Sequence, residues 1–232
     1  MKILAADTST ATGSVALLQD DQVLAEWSLH SAQTHNRRLL RTVDMVLEQA
    51  GCPLADVDGF AVTTGPGSFT GLRIGLSTIK TLAWSLQKPY VGIPSLDALA
   101  AAFNYTSVQV CPVLDARKKQ VYFALYRRDE SGCPSRHGPY RVAAPAELIR
   151  HIAEPTILCG DGWLLYRELL QSDLGVLAIA APAPFHSIRA AFVGAIARQK
   201  ILANEAEDPM AGIPLYVRPS EAELHRQSLQ QH

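Results

Sequence analysis

Cysteine is scarce and poorly spaced for a metal or disulfide framework. Cys52, Cys111, Cys133 and Cys159 are the only four, and no two form a CxxC pair. The pattern excludes a zinc ribbon and fits the reduced thiols of a cytoplasmic protein. Net charge is lacking as well, since 21 basic residues face 22 acidic ones and leave a formal charge of -1. Without a positive field the chain alone is not expected to draw in a nucleic-acid backbone; the short runs NRRLLR and RKK read as solvated faces, and tRNA or any other nucleic acid is reached through a partner. Long apolar runs are missing too. The start, MKILAADTST, offers four apolar residues before Asp7, far short of a signal peptide or a membrane span, so no membrane association is expected. HExxH and GxSxG are absent, which removes the local signatures of zinc and serine peptidases. His30 and His35 lie five apart, off a shared helix face, and read as surface or capping residues; no metal site is expected.

What is present suits one large domain or two small ones. The chain has 232 residues, 48% of them hydrophobic, enough to bury a core in which Trp27, Trp84 and Trp163 are expected as packing residues rather than base-stacking platforms. Ile3 to Ala6 reads as a strand closed by Asp7, and SVALLQDDQVLAEWSL as two strands around a polar turn. A helix is predicted over 34–49, then a strand GFAVTT, a helix over 69–86, a strand PYVGI and a further helix beginning at Ser95 and Asp97. Near Val108 this pattern restarts at an offset of 108 residues: Asp7 aligns with Asp115, Ala16 with Ala124, Leu17 with Leu125 and Asp21 with Asp129. The repeat of strand, Asp, turn and strand suggests a duplication. The second half continues with a helix over 146–152, a strand TILC, the turn GDG and helices over 163–170 and 187–203. The expected division is a unit 1–105, joined by the segment 205–220, a smaller unit 106–204 and a polar tail 220–232.

Two βββαβα units, each with an Asp closing its first strand, are the plan of RNase H-like folds of the actin and sugar-kinase superfamily, an α/β class in which ATP lies between the halves. There the Asp turns carry a glycine and a hydroxyl, so that backbone can approach phosphate and Asp can hold a metal. Here they read DTST and DARK. The first lacks glycine; the second has Ala116 and Arg117 where glycine and hydroxyl belong, which argues against a working ATP site and leaves the second unit degenerate.

The stretch TTGPGSFTGLR, Thr63 to Arg73, fits neither well-known phosphate cradle. Gly65 and Gly71 are six apart and lack the following lysine of a P-loop, and GxGxxG would need glycine at Thr70. Ser68 is placed to cap the next helix. In that helix Leu72, Leu76, Ile79, Ala83 and Leu86 form one apolar stripe, beside which run Gly71, Gly75, Thr78 and Leu82. Two helical glycines cost about 1 kcal/mol each relative to alanine, so they point to close approach by another helix, either this chain's own 34–49 helix or a partner's. The small-residue stripe, the turn of Gly65, Gly67 and Ser68, Leu72, and Arg38 with Leu39 on the preceding helix are the candidate partner interface.

ILAADTST, TTGPGSFTGLRIGLSTIKTLA, VLDARKKQVY, GDG and PLYVR, in that order, resemble the TsaB (YeaZ) family of bacterial tRNA threonylcarbamoyladenosine biosynthesis proteins over nearly the whole chain. The resemblance implies a superfamily member without activity of its own, a required component of a complex. It would dimerise with the transferase TsaD and, with the ATPase TsaE, support transfer of threonylcarbamoyl from its adenylate to a tRNA adenosine. In the partner's absence it would have a homodimer open to it. The family's glycoprotease-like label finds no peptidase constellation here, and the HxxxH of the transferase is absent. No cofactor is expected on the isolated chain, with room for a nucleotide at the partner interface. Asp7, Thr8, Ser9, Asp115, Gly160 and Gly162 are the candidate vestigial nucleotide site, although a simple turn explains GDG equally well. The competing reading is a small-molecule kinase or ATPase of the same fold.

Overall fold

The structure, a computed structural model, describes residues 1–31 and 38–218. Strands β1 (Lys2–Asp7), β2 (Thr12–Gln19), β3 (Gln22–His30), β4 (Gly59–Gly65) and β5 (Tyr90–Pro94) make a sheet ordered β3-β2-β1-β4-β5. Strands β6 (Gln109–Asp115), β7 (Val121–Arg128), β8 (Pro134–Ala143), β9 (Thr156–Cys159) and β10 (Ala178–Ala180) make another, ordered β10-β9-β6-β7-β8. Within each, the first strand pairs antiparallel with the second and parallel with the fourth, so the duplicated pattern in the sequence is a duplicated topology.

The helices are α1 (Leu39–Gln49), α2 (Phe69–Ser85), α3 (Ser95–Ala100), α4 (Pro145–Leu148), α5 (Asp161–Leu165), α6 (Arg167–Leu174) and α7 (Ala190–Leu202). Helix α1 begins at Leu39; its expected first turn, with His35, lies outside the described residues, as does the tail from Pro219. Helix α2 starts where Ser68 accepts a hydrogen bond from the Gly71 amide at 3.3 Å and buries the Leu72, Leu76, Ile79 and Ala83 stripe. Three apolar clusters define the layers. The first lies between α1 with α2 and the outer face of the first sheet; the second fills the space between the two sheets around α3 and α7; the third lies between the second sheet and α4 to α6.

Two expectations change. Helix α7, placed by sequence order with the second unit, packs on the first sheet: a Cβ at Gly194 would stand 2.4 Å from Leu18 and 3.3 Å from Ala5. Its first turn carries no capping side chain of its own. Ser14 Oγ accepts from the Ala190 amide and Glu26 Oε1 from the Ala191 amide, each at 3.0 Å, which is why the helix starts at Ala190 rather than at Ser187. Of the three tryptophans, Trp163 alone is core; Trp27 is 44% and Trp84 62% exposed. Trp27 stands on the edge strand β3, and Trp84 follows Ala83 by one helical step, about 100° away from the buried stripe.

The units are tied by a carboxylate. Asp97 of α3 accepts from Tyr126 Oη at 2.5 Å and from Tyr140 Oη at 2.8 Å, both phenols lying on the second sheet. Burial first, and then the Asp97 charge, hold the Tyr126 phenol well above its ordinary value of 10.0. A group whose proton is held more tightly in the folded state contributes stability that is complete below pH 10 and is lost as pH rises toward the folded value. Tyr126→Phe should therefore cost about 1–3 kcal/mol at neutral pH, roughly 2–12 °C of melting temperature, and should flatten the fall in stability above about pH 10. Thermal scans from pH 7 to 11 check both; an unchanged alkaline limb would remove the clamp.

Candidate functional site

Asp7 ends β1 where β4 runs beside it in parallel, Ala6 opposite Val62, so that Thr63 falls next to the carboxylate. The side chain is fully buried. Its Oδ1 accepts from Thr63 Oγ1 at 2.6 Å, Ser9 Oγ at 2.6 Å and the Ser9 amide at 3.0 Å. The glycine-rich stretch closes over this turn: the Ser68 amide donates to the Ser9 carbonyl at 2.7 Å, and a Cβ at Gly67 would stand 2.3 Å from that same oxygen. Thr8 Oγ1 donates to the Gly71 carbonyl at 2.8 Å and lies 2.2 Å from where a Gly75 Cβ would be. The small stripe of α2 thus admits the Asp7 turn of its own chain. At Gly75 the approaching atoms belong to Thr8 and Val62, not to α1 or a partner; Thr78 and Leu82 further along are half-buried.

The second unit repeats the arrangement. Asp115 Oδ1 accepts from the Arg117 amide at 2.8 Å, as Asp7 does from Ser9, and GDG seats on the end of β6 as the glycine-rich stretch does on β1. A Cβ at Gly160 would meet the Val113 carbonyl at 2.1 Å and one at Gly162 the Leu114 carbon at 2.8 Å; the Asp161 carboxylate accepts from the Asp115 amide at 3.0 Å. Burial, and then the neighbouring Asp115 charge, raise the Asp161 carboxyl above its ordinary range. Arg117 Nη1 sits 3.1 Å from Asp115 Oδ2.

The segment after α7 joins the two turns. The Glu207 amide donates to the Tyr90 carbonyl and the Leu215 amide to the Thr64 carbonyl, both at 2.8 Å, Tyr216 stacks on Phe69 at 5.6 Å, and Arg218 Nη1 donates to Gln120 Oε1 at 3.0 Å. Leu215 and Arg218 are three residues apart, at most about 10 Å of extended chain, so the segment straps the glycine turn to the β6–β7 turn.

Of the residues expected at a partner surface, Leu39, Gly65, Gly71, Leu72 and Gly75 are buried within this chain; Arg38, Gly67, Thr78 and Leu82 are half-buried and Ser68 is exposed. The six expected nucleotide-site residues form two separate turns, each filled by its own glycine loop. Asp7 lies inside a cage of hydroxyl and amide donors, and Arg117 pairs with Asp115 where a phosphate or a metal would need the carboxylate. The cleft beside Asp7, lined by Trp27, Leu29, Leu39 and Thr42, holds about 30 Å³, room for a water or two and not for a nucleotide. Among the described residues no three of His, Cys, Asp and Glu group to hold a metal ion. The site does not fit the superfamily's metal-bound nucleotide. Sequence reasoning singled out GDG and joined 205–220 to the first unit, but missed the roles of Thr63 and Asp161 and the link from Arg218 to the second turn; the parallel pairing of FAV with ILA was the signal for Thr63.

A family model described as TsaD, tRNA N6-adenosine threonylcarbamoyltransferase, matches residues 28–226. The Bacillus subtilis tRNA threonylcarbamoyladenosine biosynthesis protein TsaB is 33% identical over 96% of each chain, and that of Haemophilus influenzae 31% identical over 94% of each. YeaZ from Pseudomonas aeruginosa superposes with a TM-score of 0.78 at 28% identity, covering 93% of this chain and 99% of that one. A 2-hydroxyisocaproyl-CoA dehydratase activator from Clostridium difficile, solved with ADPNP, shares the fold with a TM-score of 0.54 at 10% identity. Among the described residues no helix is long and apolar enough to cross a membrane. The family model carries the transferase's name, but the transferase's HxxxH is missing from this sequence, while the TsaB relatives align along almost their whole length. This chain belongs to the TsaB (YeaZ) family of tRNA threonylcarbamoyladenosine biosynthesis proteins.

Proposed function

We propose that the chain is a non-catalytic scaffold subunit. It dimerises with TsaD and, with TsaE, supports transfer of threonylcarbamoyl to tRNA adenosine, while the transferase supplies the chemistry. The observation that carries this reading is the pair of Asp turns that a kinase of this fold would need: the Asp7 carboxylate is fully buried with its Oδ1 bonded by three donors of its own chain, and Asp115 pairs with Arg117. The adjoining cleft, which Asp7 itself lines, holds only about 30 Å³, too little for a phosphate to approach the remaining oxygen with its nucleotide. The surface proposed for TsaD is the outer side of α1 and α2, where Leu40 is 55% and Trp84 62% exposed, and where Arg38 before α1 and Thr78 and Leu82 on α2 are half-buried. Two exposed apolar side chains on neighbouring helices suit a helical partner that covers both.

Co-expression with tagged TsaD tests the reading. The expected result is a stoichiometric heterodimer in which Trp84→Ala weakens binding by at least about 30-fold, as for a buried aromatic anchor, without loss of melting temperature. The isolated chain should not turn over ATP. ATP hydrolysis that survives repurification and disappears in Asp7→Asn would bring the kinase reading to the front.

A further inference from the structure

Each sheet ends in two edge strands, and three of the four edges are guarded. The segment after α7 covers β5, where Glu207 bridges Tyr90. β10 has only three residues, and β8 carries Pro134 and Pro139 with the cations Arg136 and Arg141. Short length, proline, positive charge and cover are the means that keep an edge from pairing with another chain. β3 has none of them over 25–30. It runs for nine residues without proline, lysine or arginine, and its bulge against β2 is confined to Leu24. Its one carboxylate is withdrawn: the Glu26 side chain is 9% exposed, held on the inner face by the Arg189 guanidinium and the Ala191 amide. Trp27, Ser28, Leu29 and His30 are all exposed. Among the described residues no other backbone segment bonds to the outer side of this strand.

Which groups face outward follows from the pairing with β2. The Ser31 amide donates inward to the Ala11 carbonyl at 3.3 Å, and the register from His30 back to Ala25 is unbroken. Backbone groups alternate along an antiparallel strand, so the amides and carbonyls of Glu26, Ser28 and His30 point away from β2. The same strand of a second copy offers the same alternation about a two-fold axis. An axis at Glu26 would set two carboxylates against each other and carry the pairing into the bulge at Leu24. An axis at Ser28 avoids both. It joins Glu26 to His30 of the second copy through the backbone and places Trp27 opposite Leu29 in the closer kind of cross-strand pair. Trp27 and Leu29, 44% and 42% exposed, share the face toward α1, since they stand opposite Val15 and Gly13, so the four apolar side chains of such a pair cover one another.

We infer that β3 pairs with β3 of a second copy of this chain, antiparallel about a two-fold axis through Ser28, joining two five-stranded sheets into one. The inference needs nothing from the surface proposed for TsaD.

The test uses the full chain alone. Sedimentation velocity over a dilution series should show a monomer–dimer equilibrium with a dissociation constant of roughly 1–100 µM, as for an interface at the small end of the range. Leu29→Lys removes both Trp27–Leu29 contacts and sets a charge on the edge; it should weaken the dimer by about 5- to 30-fold and leave the melting temperature of the monomer unchanged. Ser28→Cys reports the register. At the axis the residue meets its own copy at a Cα separation of about 5.5 Å, within disulfide reach, and should cross-link under mild oxidation, whereas His30→Cys, whose copies would lie about 14 Å apart, should not. A chain that stays monomeric throughout the series overturns the inference. So does a dimer that a folded Leu29→Lys leaves intact, which would put the contact on another surface, or His30→Cys cross-linking in preference to Ser28→Cys, which would give another register. If Leu29→Lys fails to fold, the two cysteine variants still decide.

Discussion

Gly75→Leu should lower the melting temperature of the isolated chain by roughly 6–12 °C, the equivalent of about 3 kcal/mol at the upper part of the overpacking range. Leucine is the better helix former by close to 1 kcal/mol, so helix propensity pushes the other way and packing has to overcome it. The packing conflict is specific. A Cβ at position 75 stands 2.2 Å from Thr8 Oγ1 but 3.4 Å from Thr8 Cβ, an ordinary contact. Thr8 cannot swing aside without giving up its 2.8 Å bond to the Gly71 carbonyl. A double-mutant cycle isolates this atom. Gly75→Ala should destabilise the wild type, yet be neutral or stabilising when Thr8→Ala has already removed the hydroxyl, with a coupling of about 1–3 kcal/mol. Additive effects would show that something other than Thr8 limits the site. Unchanged stability together with lost TsaD binding would return the glycine stripe to the partner surface.

The second large effect is expected at Asp7. Asp7→Ala removes the acceptor for the Ser9 amide, Ser9 Oγ and Thr63 Oγ1, all buried. Orphaned buried donors cost about 1–3 kcal/mol each, partly recovered where water enters the gap, so about 3–5 kcal/mol is expected for the three. Asp7→Asn keeps one oxygen of the same shape and should cost less than half as much. The check is a pair of urea transitions read beside the threonylcarbamoyladenosine content of cells carrying each variant. If modification follows stability, Asn above Ala, the carboxylate is structural. If Asp7→Asn is well folded and abolishes modification, Asp7 acts in the chemistry and the scaffold reading is wrong at its central residue.

Much of this architecture was legible because it depends on local pattern. The polar turn between β2 and β3, the buried stripe Leu72, Leu76, Ile79 and Ala83, the Ser68 cap and the Asp that ends the first strand of each half are all written in residue types a few positions apart. The repeat of Asp7 at Asp115 likewise made the duplicated succession of elements readable from one dimension, while the order of strands in each sheet came from the structure. Short-range periodicity and capping chemistry act within a turn or a strand, and sequence records them directly.

What only the tertiary structure decided is which surface each small residue serves. In sequence Gly71 and Gly75 signal a close approach, but the approaching group is Thr8, more than sixty positions earlier, brought there because β1 and β4 pair in parallel. The same holds for α7, whose first amides are capped by Ser14 and Glu26, and for Leu215 and Arg218, which strap the glycine turn to the β6–β7 turn. A glycine records that space is needed and is silent about what fills it. The filler is selected by the global packing of strands and helices, a long-range choice that the composition of neither segment contains.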